Sequence, residues 1–158
     1  MRIIKRDGTR QPFMPNKILT RIKTQSEGLN ISAEKLFQKV VPHIKDEMTA
    51  TEIDEIMAFQ AADLQIEHPD YAILGGRILI SRQGKLLEVE EKEIDDKFDS
   101  FAASTFLTKY SEKNDDKRPI EIPSMMYNRV ASHLYSGSFK ERRKLLNELY
   151  AKRGNFAT

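Results

Sequence analysis

An α+β fold, mostly α, is predicted by three features of the sequence. The run Ile4-Lys5-Arg6-Asp7-Gly8-Thr9-Arg10 has an apolar start, an Asp-Gly pair and a second polar-apolar run, which is the pattern of a β-hairpin. Four segments then carry apolar residues at helical spacing, with capping or helix-starting residues at their heads. Further helical patterns follow an acid-rich stretch from Glu88 to Lys97.

The elements follow in chain order. Asn16 is placed to cap a helix from Lys17 to Ser26, with Ile18, Leu19 and Ile22 on one face and Gly28 as the stop. Ser32 starts a second helix, in which Leu36, Val40 and Ile44 recur every fourth residue. Thr49-Ala50-Thr51-Glu52 fits a capping box, where hydroxyl and carboxylate each satisfy a donor at the helix end. That third helix extends to Ile66 with Ile53, Met57, Gln60 and Leu64 in line. Pro69 suits the first turn of a fourth helix with Tyr71, Leu74 and Ile78 facing inward. Each apolar stripe is too narrow to stand alone, so the four helices should pack as a bundle with the hairpin as its lid.

Glu88 to Lys97 holds Glu88, Glu90, Glu91, Glu93, Asp95 and Asp96 among few cations. It is expected to be a solvated connector, with residues 91–97 dividing a unit at 1–90 from one at 98–158. In the latter, Phe98, Phe101, Phe106, Leu107 and Tyr110 form a helical apolar face, and Ser111 to Arg118 form a loop. Pro123 begins a helix with Met126, Val130 and Leu134 on one side. Ser138-Phe139-Lys140-Glu141 is a second capping box, opening a helix to Lys152 with Leu145, Leu149 and Tyr150. Met125-Met126 and Tyr71 are read as core, and His68-Pro69-Asp70-Tyr71 as a helix start and not a ligand cluster. The paired Gly75-Gly76 costs helix stability, which points to close backbone approach at that place.

Composition narrows the function. A net charge of +2 with 32% charged residues lacks the basic excess of a general nucleic-acid coat. The cations are nevertheless concentrated: residues 1 to 24 hold Arg2, Lys5, Arg6, Arg10, Lys17, Arg21 and Lys23 against the single acid Asp7. A face of that kind requires an anionic partner. No cysteine is present, which removes disulfides, thiolate zinc sites and thiol catalysis from these residues. No apolar run reaches the roughly 18 residues of a membrane span, and the polar-flanked start is no signal peptide. A cytoplasmic location is expected.

The hairpin turn places backbone N–H groups beside Lys5 and Arg6, an arrangement suited to a polyphosphate. With Asn16-Lys17 opening a helix just afterwards, residues 1 to 90 resemble the ATP-cone, the nucleotide-sensing N-terminal domain of class I ribonucleotide reductase large (alpha) subunits of the eukaryotic and viral kind. The resemblance implies ATP or dATP, with Mg, as an allosteric effector. Its site residues would be Lys5, Arg6, Asp7, Gly8, Gln11, Lys17, Ile18, Thr49, Asp54 and Lys85. In the family the Lys-Arg pair and the Asp-Gly turn close over the triphosphate, and residues matching Lys17 and Lys85 approach phosphate. The residue matching Asp54 lies beside the nucleotide and affects how ATP is told from dATP. Gln11 stands where Glu is common. Ala50 stands where the family often has a contacting Thr, a role open to Thr49 or Thr51. Alanines are usual in the family at Gly75-Gly76.

Arg118-Pro119 and Pro123 to Ala131 resemble the segment leading into the catalytic domain of class I and class II reductases, with Lys117 in place of a Glu and Ile120 to Ile122 inserted. Arg153 to Thr158 would then begin the strand that leads into a ten-stranded α/β barrel, which these residues do not include. The reaction of that family needs cysteines, so this chain is expected to act as a piece of the enzyme, inactive alone. The implied partners are the remaining catalytic part of the large subunit, a small radical-generating subunit and other large subunits. Two alternatives are a nucleic-acid-binding module and a degenerate, nucleotide-free cone that serves as an assembly surface.

Overall fold

The computed structural model describes residues 1–134 and 139–152. Strands β1 (Arg2–Ile4) and β2 (Arg10–Pro12) pair antiparallel, with Ile3 opposite Gln11. The Lys5–Thr9 turn between them carries Gly8 at φ 81°, which glycine adopts without steric cost. The chain is α+β and mostly α as expected. The expected lid, however, belongs to a three-stranded sheet, because β3 (Met48–Thr49) adds parallel to β1 on its free edge. Arg2 N–H donates to Asp46 Oδ1 at 2.6 Å, and Glu47 N–H to the Arg2 carbonyl at 2.8 Å, fastening that pairing.

Helix α1 spans Pro15–Gln25. Asn16 is not its cap: Met14 precedes the helix without a side-chain bond, and Pro15 starts it. Proline has the fixed φ that a first helical position needs and lacks the N–H that would be orphaned there. Helix α2 (Ala33–Val40) is capped by Ser32, whose hydroxyl accepts from Lys35 N–H at 3.2 Å. Ile44 is buried but lies outside α2, because Pro42 diverts the chain into a 3₁₀ turn at Val41–His43. Helix α3 (Ala50–Asp63) has the expected box: Thr49 Oγ1 accepts from Glu52 N–H at 3.2 Å, and Glu52 Oε2 accepts from Thr49 N–H at 2.7 Å. A 3₁₀ turn, Leu64–Ile66, ends it and leaves Ile66 exposed. Helix α4 (Asp70–Leu87) follows Pro69 and stops at Glu88, whose φ of 55° is left-handed.

Two cores share α4. The first gathers Ile18, Ile22, Leu36, Val40, Ile53, Met57, Leu64, Tyr71, Leu74 and Ile78, with Ile3 packed against it. The second gathers Ile80, Ile94, Phe98, Ala103, Phe106, Ile122, Met126 and Tyr127, and Leu79 touches both. Methionine and Tyr71 thus pack as expected.

The acid-rich stretch is not wholly solvated. Glu88 and Glu90 are exposed, but residues Glu93–Lys97 form a 3₁₀ turn that buries Ile94 and Asp95. Asp95 accepts N–H bonds from Lys92 and from Ser124, each at 2.8 Å, so one carboxylate caps its own turn and the start of α6 (Pro123–Leu134). Helix α5 (Ser100–Thr105) passes into a π-helical turn at Phe106–Tyr110. Phe106 and Leu107 are buried while Phe101 and Tyr110 are exposed; Phe101 precedes the π turn and stands about 140° round the helix axis from Phe106, so the two do not share a face. Leu134 is likewise exposed. Helix α7 (Phe139–Ala151) packs Leu146, Leu149 and Tyr150 on the second core. The expected Ser138 cap and the segment Arg153 to Thr158 lie outside the described residues.

The glycine pair has its expected purpose. A Cβ on Gly76 would strike the Phe98 carbonyl and lie 2.5 Å from the Asp99 carbonyl carbon. One on Gly75 would strike Ser100 Oγ, which donates to the Ala72 carbonyl at 2.9 Å. The start of α5 therefore crosses α4 at backbone distance.

Candidate functional site

Asp54 sits on the face of α3 turned toward the hairpin and is only 2% exposed. A buried carboxylate must be compensated by donors, and here two guanidinium groups supply them. Arg21, from α1, makes a fork: its Nε donates to Oδ1 at 2.6 Å and its Nη2 to Oδ2 at 3.1 Å. Arg6, from the hairpin turn, reaches the same Oδ2 with its Nη2 at 2.8 Å. The Arg21 side chain is 17% exposed and that of Arg6 33%.

Lys85, on the last turn of α4, completes the cluster. Its ammonium pKa is lowered, first by loss of water among these side chains and then by the neighbouring Arg21 charge. Asp54 and Glu91 pull the other way, and Arg6 adds to the depression. Arg6 and Arg21 thus pair with one carboxylate, Lys85 is exposed at the end of α4 within electrostatic reach of all three, and the group carries a surplus of positive charge.

The turn contributes side chains more than backbone. Lys5 N–H donates to the Thr9 carbonyl at 2.8 Å, Gly8 N–H to the Lys5 carbonyl at 3.0 Å and Thr9 N–H to Asp7 Oδ1 at 2.9 Å. Those donors, expected to face a phosphate, already have internal partners. Asp7 fastens the turn, and bonds from the Thr9 hydroxyl and N–H hold its pKa below the ordinary carboxylate value. Space beside Gly8 is open, with no atom within 4 Å of where a Cβ would stand. Lys5 is exposed on the turn, and exposed Lys17 meets Gln11 Oε1 at 3.5 Å.

The structure therefore brings Arg6, Asp54 and Lys85 together, with Lys5, Asp7 and Gly8 on the adjoining turn and the Lys17–Gln11 pair beside β2. Ile18 lies in the first core. The Thr49 hydroxyl is occupied in its cap, accepting from Glu52 N–H and meeting Glu52 Oε2 at 2.7 Å. Arg21 is the residue that sequence reasoning missed. It follows Lys17 by four positions, one helical turn along the same face, and that spacing was the available signal. Surface clefts lie elsewhere, among them one of about 520 Å³ against α3, lined by Met48, Ile56 and Phe59, and one of about 420 Å³ between α6 and α7, lined by Asn128, Arg142 and Leu146. Neither includes the cation cluster. Among the described residues no helix is long and apolar enough to cross a membrane.

Comparison with known proteins identifies the family. The family model of the ATP cone domain matches residues 1–86. Ribonucleoside-diphosphate reductase large chain 2 of Saccharomyces cerevisiae is 39% identical over 88 residues, which is 54% of this chain and 10% of that protein. The Monkeypox virus large subunit is 41% identical over 88 residues, covering 54% of this chain and 11% of its own length. A vitamin B12-dependent ribonucleoside-diphosphate reductase of Thermoplasma acidophilum is 30% identical over 143 residues, 84% of this chain and 19% of the relative. The chain thus spans a small part of each relative's length, and the last match extends well beyond the cone. With more than half of its residues matched by the family model, the chain belongs to the ATP-cone family, in the form found in the N-terminal part of ribonucleoside-diphosphate reductase large subunits.

Proposed function

We propose that residues 1–90 bind ATP and dATP as allosteric effectors and regulate a ribonucleoside-diphosphate reductase large subunit through its assembly. The observation that carries this reading is the convergence of Arg6 and Arg21 on Asp54, with Lys85 within electrostatic reach and a turn displaying Lys5 beside them. Guanidinium and ammonium groups at such density suit the oxygens of a triphosphate. Lys5, Arg6 and Lys85 would hold phosphate, with Lys17 at the edge, and Asp54 would be the acceptor nearest the sugar.

Among the described residues no group of three or more His, Cys, Asp or Glu side chains is placed to hold a metal ion. A Mg ion would enter with the phosphates. Residues 98–158 would form the start of the catalytic domain, and the chain would work with the remaining large subunit, other large subunits and a small radical-generating subunit. The length of the Thermoplasma acidophilum match supports this assignment. ATP and dATP differ by one hydroxyl, and such ligands shift an assembly equilibrium only through unequal affinity for its states. A hydrogen bond to a charged acceptor contributes about 1.5–3 kcal/mol, enough for a shift of up to about a hundredfold.

Calorimetric titration of the chain with ATP and with dATP tests the reading. Saturable binding is expected in the parent and a large loss in Lys5→Ala/Arg6→Ala. An absence of saturable binding in the parent would overturn it and leave the nucleotide-free assembly module as the better account.

A further inference from the structure

Asp54 is buried, and its Oδ2 already accepts two bonds, from Arg21 and from Arg6, which leaves that oxygen no acceptor site for a sugar. Its two partners are unequal. Arg21 alone satisfies both oxygens, from the middle of an eleven-residue helix. Arg6 makes one bond, to an oxygen that Arg21 also serves, and it comes from a turn with open space beside it. Removing Arg6 leaves Asp54 paired; removing Arg21 does not leave it with both oxygens served.

Resting on the nucleotide reading above, we infer that the Arg6–Asp54 pair is a latch. When a triphosphate arrives, Arg6 swings from Asp54 to the phosphates, and the acceptor site it frees on Oδ2, which Arg21 still serves with one bond, accepts a hydrogen bond from the sugar. Arg21 is the positioning residue that keeps Asp54 in place during the exchange. The movement couples two recognitions in one step. The phosphate chain opens the latch for any nucleotide, and only then does Oδ2 distinguish a ribose from a deoxyribose.

The test titrates inorganic tripolyphosphate, ATP and dATP into the whole chain, in the parent, Asp54→Asn, Arg6→Ala and the double variant. Asp54→Asn is expected to bind tripolyphosphate about tenfold more tightly, equivalent to about 1.4 kcal/mol, because one part-buried charge-assisted bond no longer has to be broken. It should also bring the ATP and dATP affinities together. In the Arg6→Ala background the gain should vanish; a gain that persists there reflects only the removed negative charge and overturns the latch. So does unchanged or weaker tripolyphosphate binding by folded Asp54→Asn.

Side-chain ¹⁵N NMR of the parent gives a readout that does not depend on the variants folding. Tripolyphosphate should move the Arg6 Nε–H resonance and leave that of Arg21 in place; the reverse overturns the proposal. A parent that binds ATP but fails these tests loses the latch and keeps the nucleotide reading. A parent that binds none of the three ligands loses both.

Discussion

Gly76→Ala should destabilise the chain far more than Gly75→Ala, although the two positions are adjacent on one helix. At Gly76 the added methyl meets only backbone: the Phe98 carbonyl oxygen, and the Asp99 carbonyl carbon and oxygen at 2.5 and 2.7 Å. No rotamer relieves that contact, so α4 and the start of α5 must separate. Overpacking costs about 1–3 kcal/mol, and contact with rigid backbone places this case at the upper end. Alanine returns about 1 kcal/mol of helix propensity, so the net loss is about 2 kcal/mol, or about 4–8 °C in Tm for a chain of this size. At Gly75 the main obstacle is Ser100 Oγ, a side chain that can rotate once its bond to the Ala72 carbonyl is given up, and the next atom is the Ala58 carbonyl oxygen at 3.1 Å. One hydrogen bond of about 1 kcal/mol then nearly cancels the propensity gain, and Gly75→Ala should lie within about 1 kcal/mol of the parent. Thermal and urea denaturation of both variants gives the comparison. A Gly76→Ala chain as stable as the parent would show that α4 and α5 do not cross at backbone distance.

Two further outcomes are expected. Thr49→Ala removes the hydroxyl that serves Glu52 N–H at the head of α3, and urea denaturation should show a loss of about 1 kcal/mol, with Thr49→Ser restoring it. Asp95 is raised above the usual aspartate pKa, chiefly by burial, against the hydrogen bonds from Lys92 and Ser124, and Asp96 adds a like charge. The folded state therefore holds its proton more tightly than the unfolded chain, so Asp95 makes stability fall as pH rises from the ordinary aspartate value through its raised native one. Denaturation across that range should show the slope flattened in Asp95→Asn, and an identical slope in parent and variant would refute the account.

Local rules were read correctly because they act over a few residues. Ser32 and the Thr49–Glu52 box each join positions three apart, and the alternation about Asp7-Gly8 marked the hairpin. Where the reading failed, a distant partner decided the result. Met48–Thr49 is too short to signal a strand and forms one only because β1 offers an edge. Asp95 resembles its exposed acidic neighbours, and its burial follows from the Ser124 N–H, 29 positions further on. Phe101 stands five residues before Phe106, a spacing that puts the two on different sides of an α-helix, and the second core takes Phe106.

At the site, the same distinction explains more than a missed residue. Asp54 by itself reads as an early-helix acid favoured by the helix dipole, a role in which it would be solvated and would need no cation. Instead it is buried, and an uncompensated buried carboxylate costs several kcal/mol. Folding must then draw in the guanidiniums of Arg21 and Arg6, 33 and 48 positions away. That requirement works before any ligand is present: the cations are gathered and oriented by the protein's own carboxylate, which offsets their mutual repulsion. On the reading proposed above, a multivalent anion would bind to charges already assembled and would have to displace only the contact from the turn, since the one from the helix is held at two points.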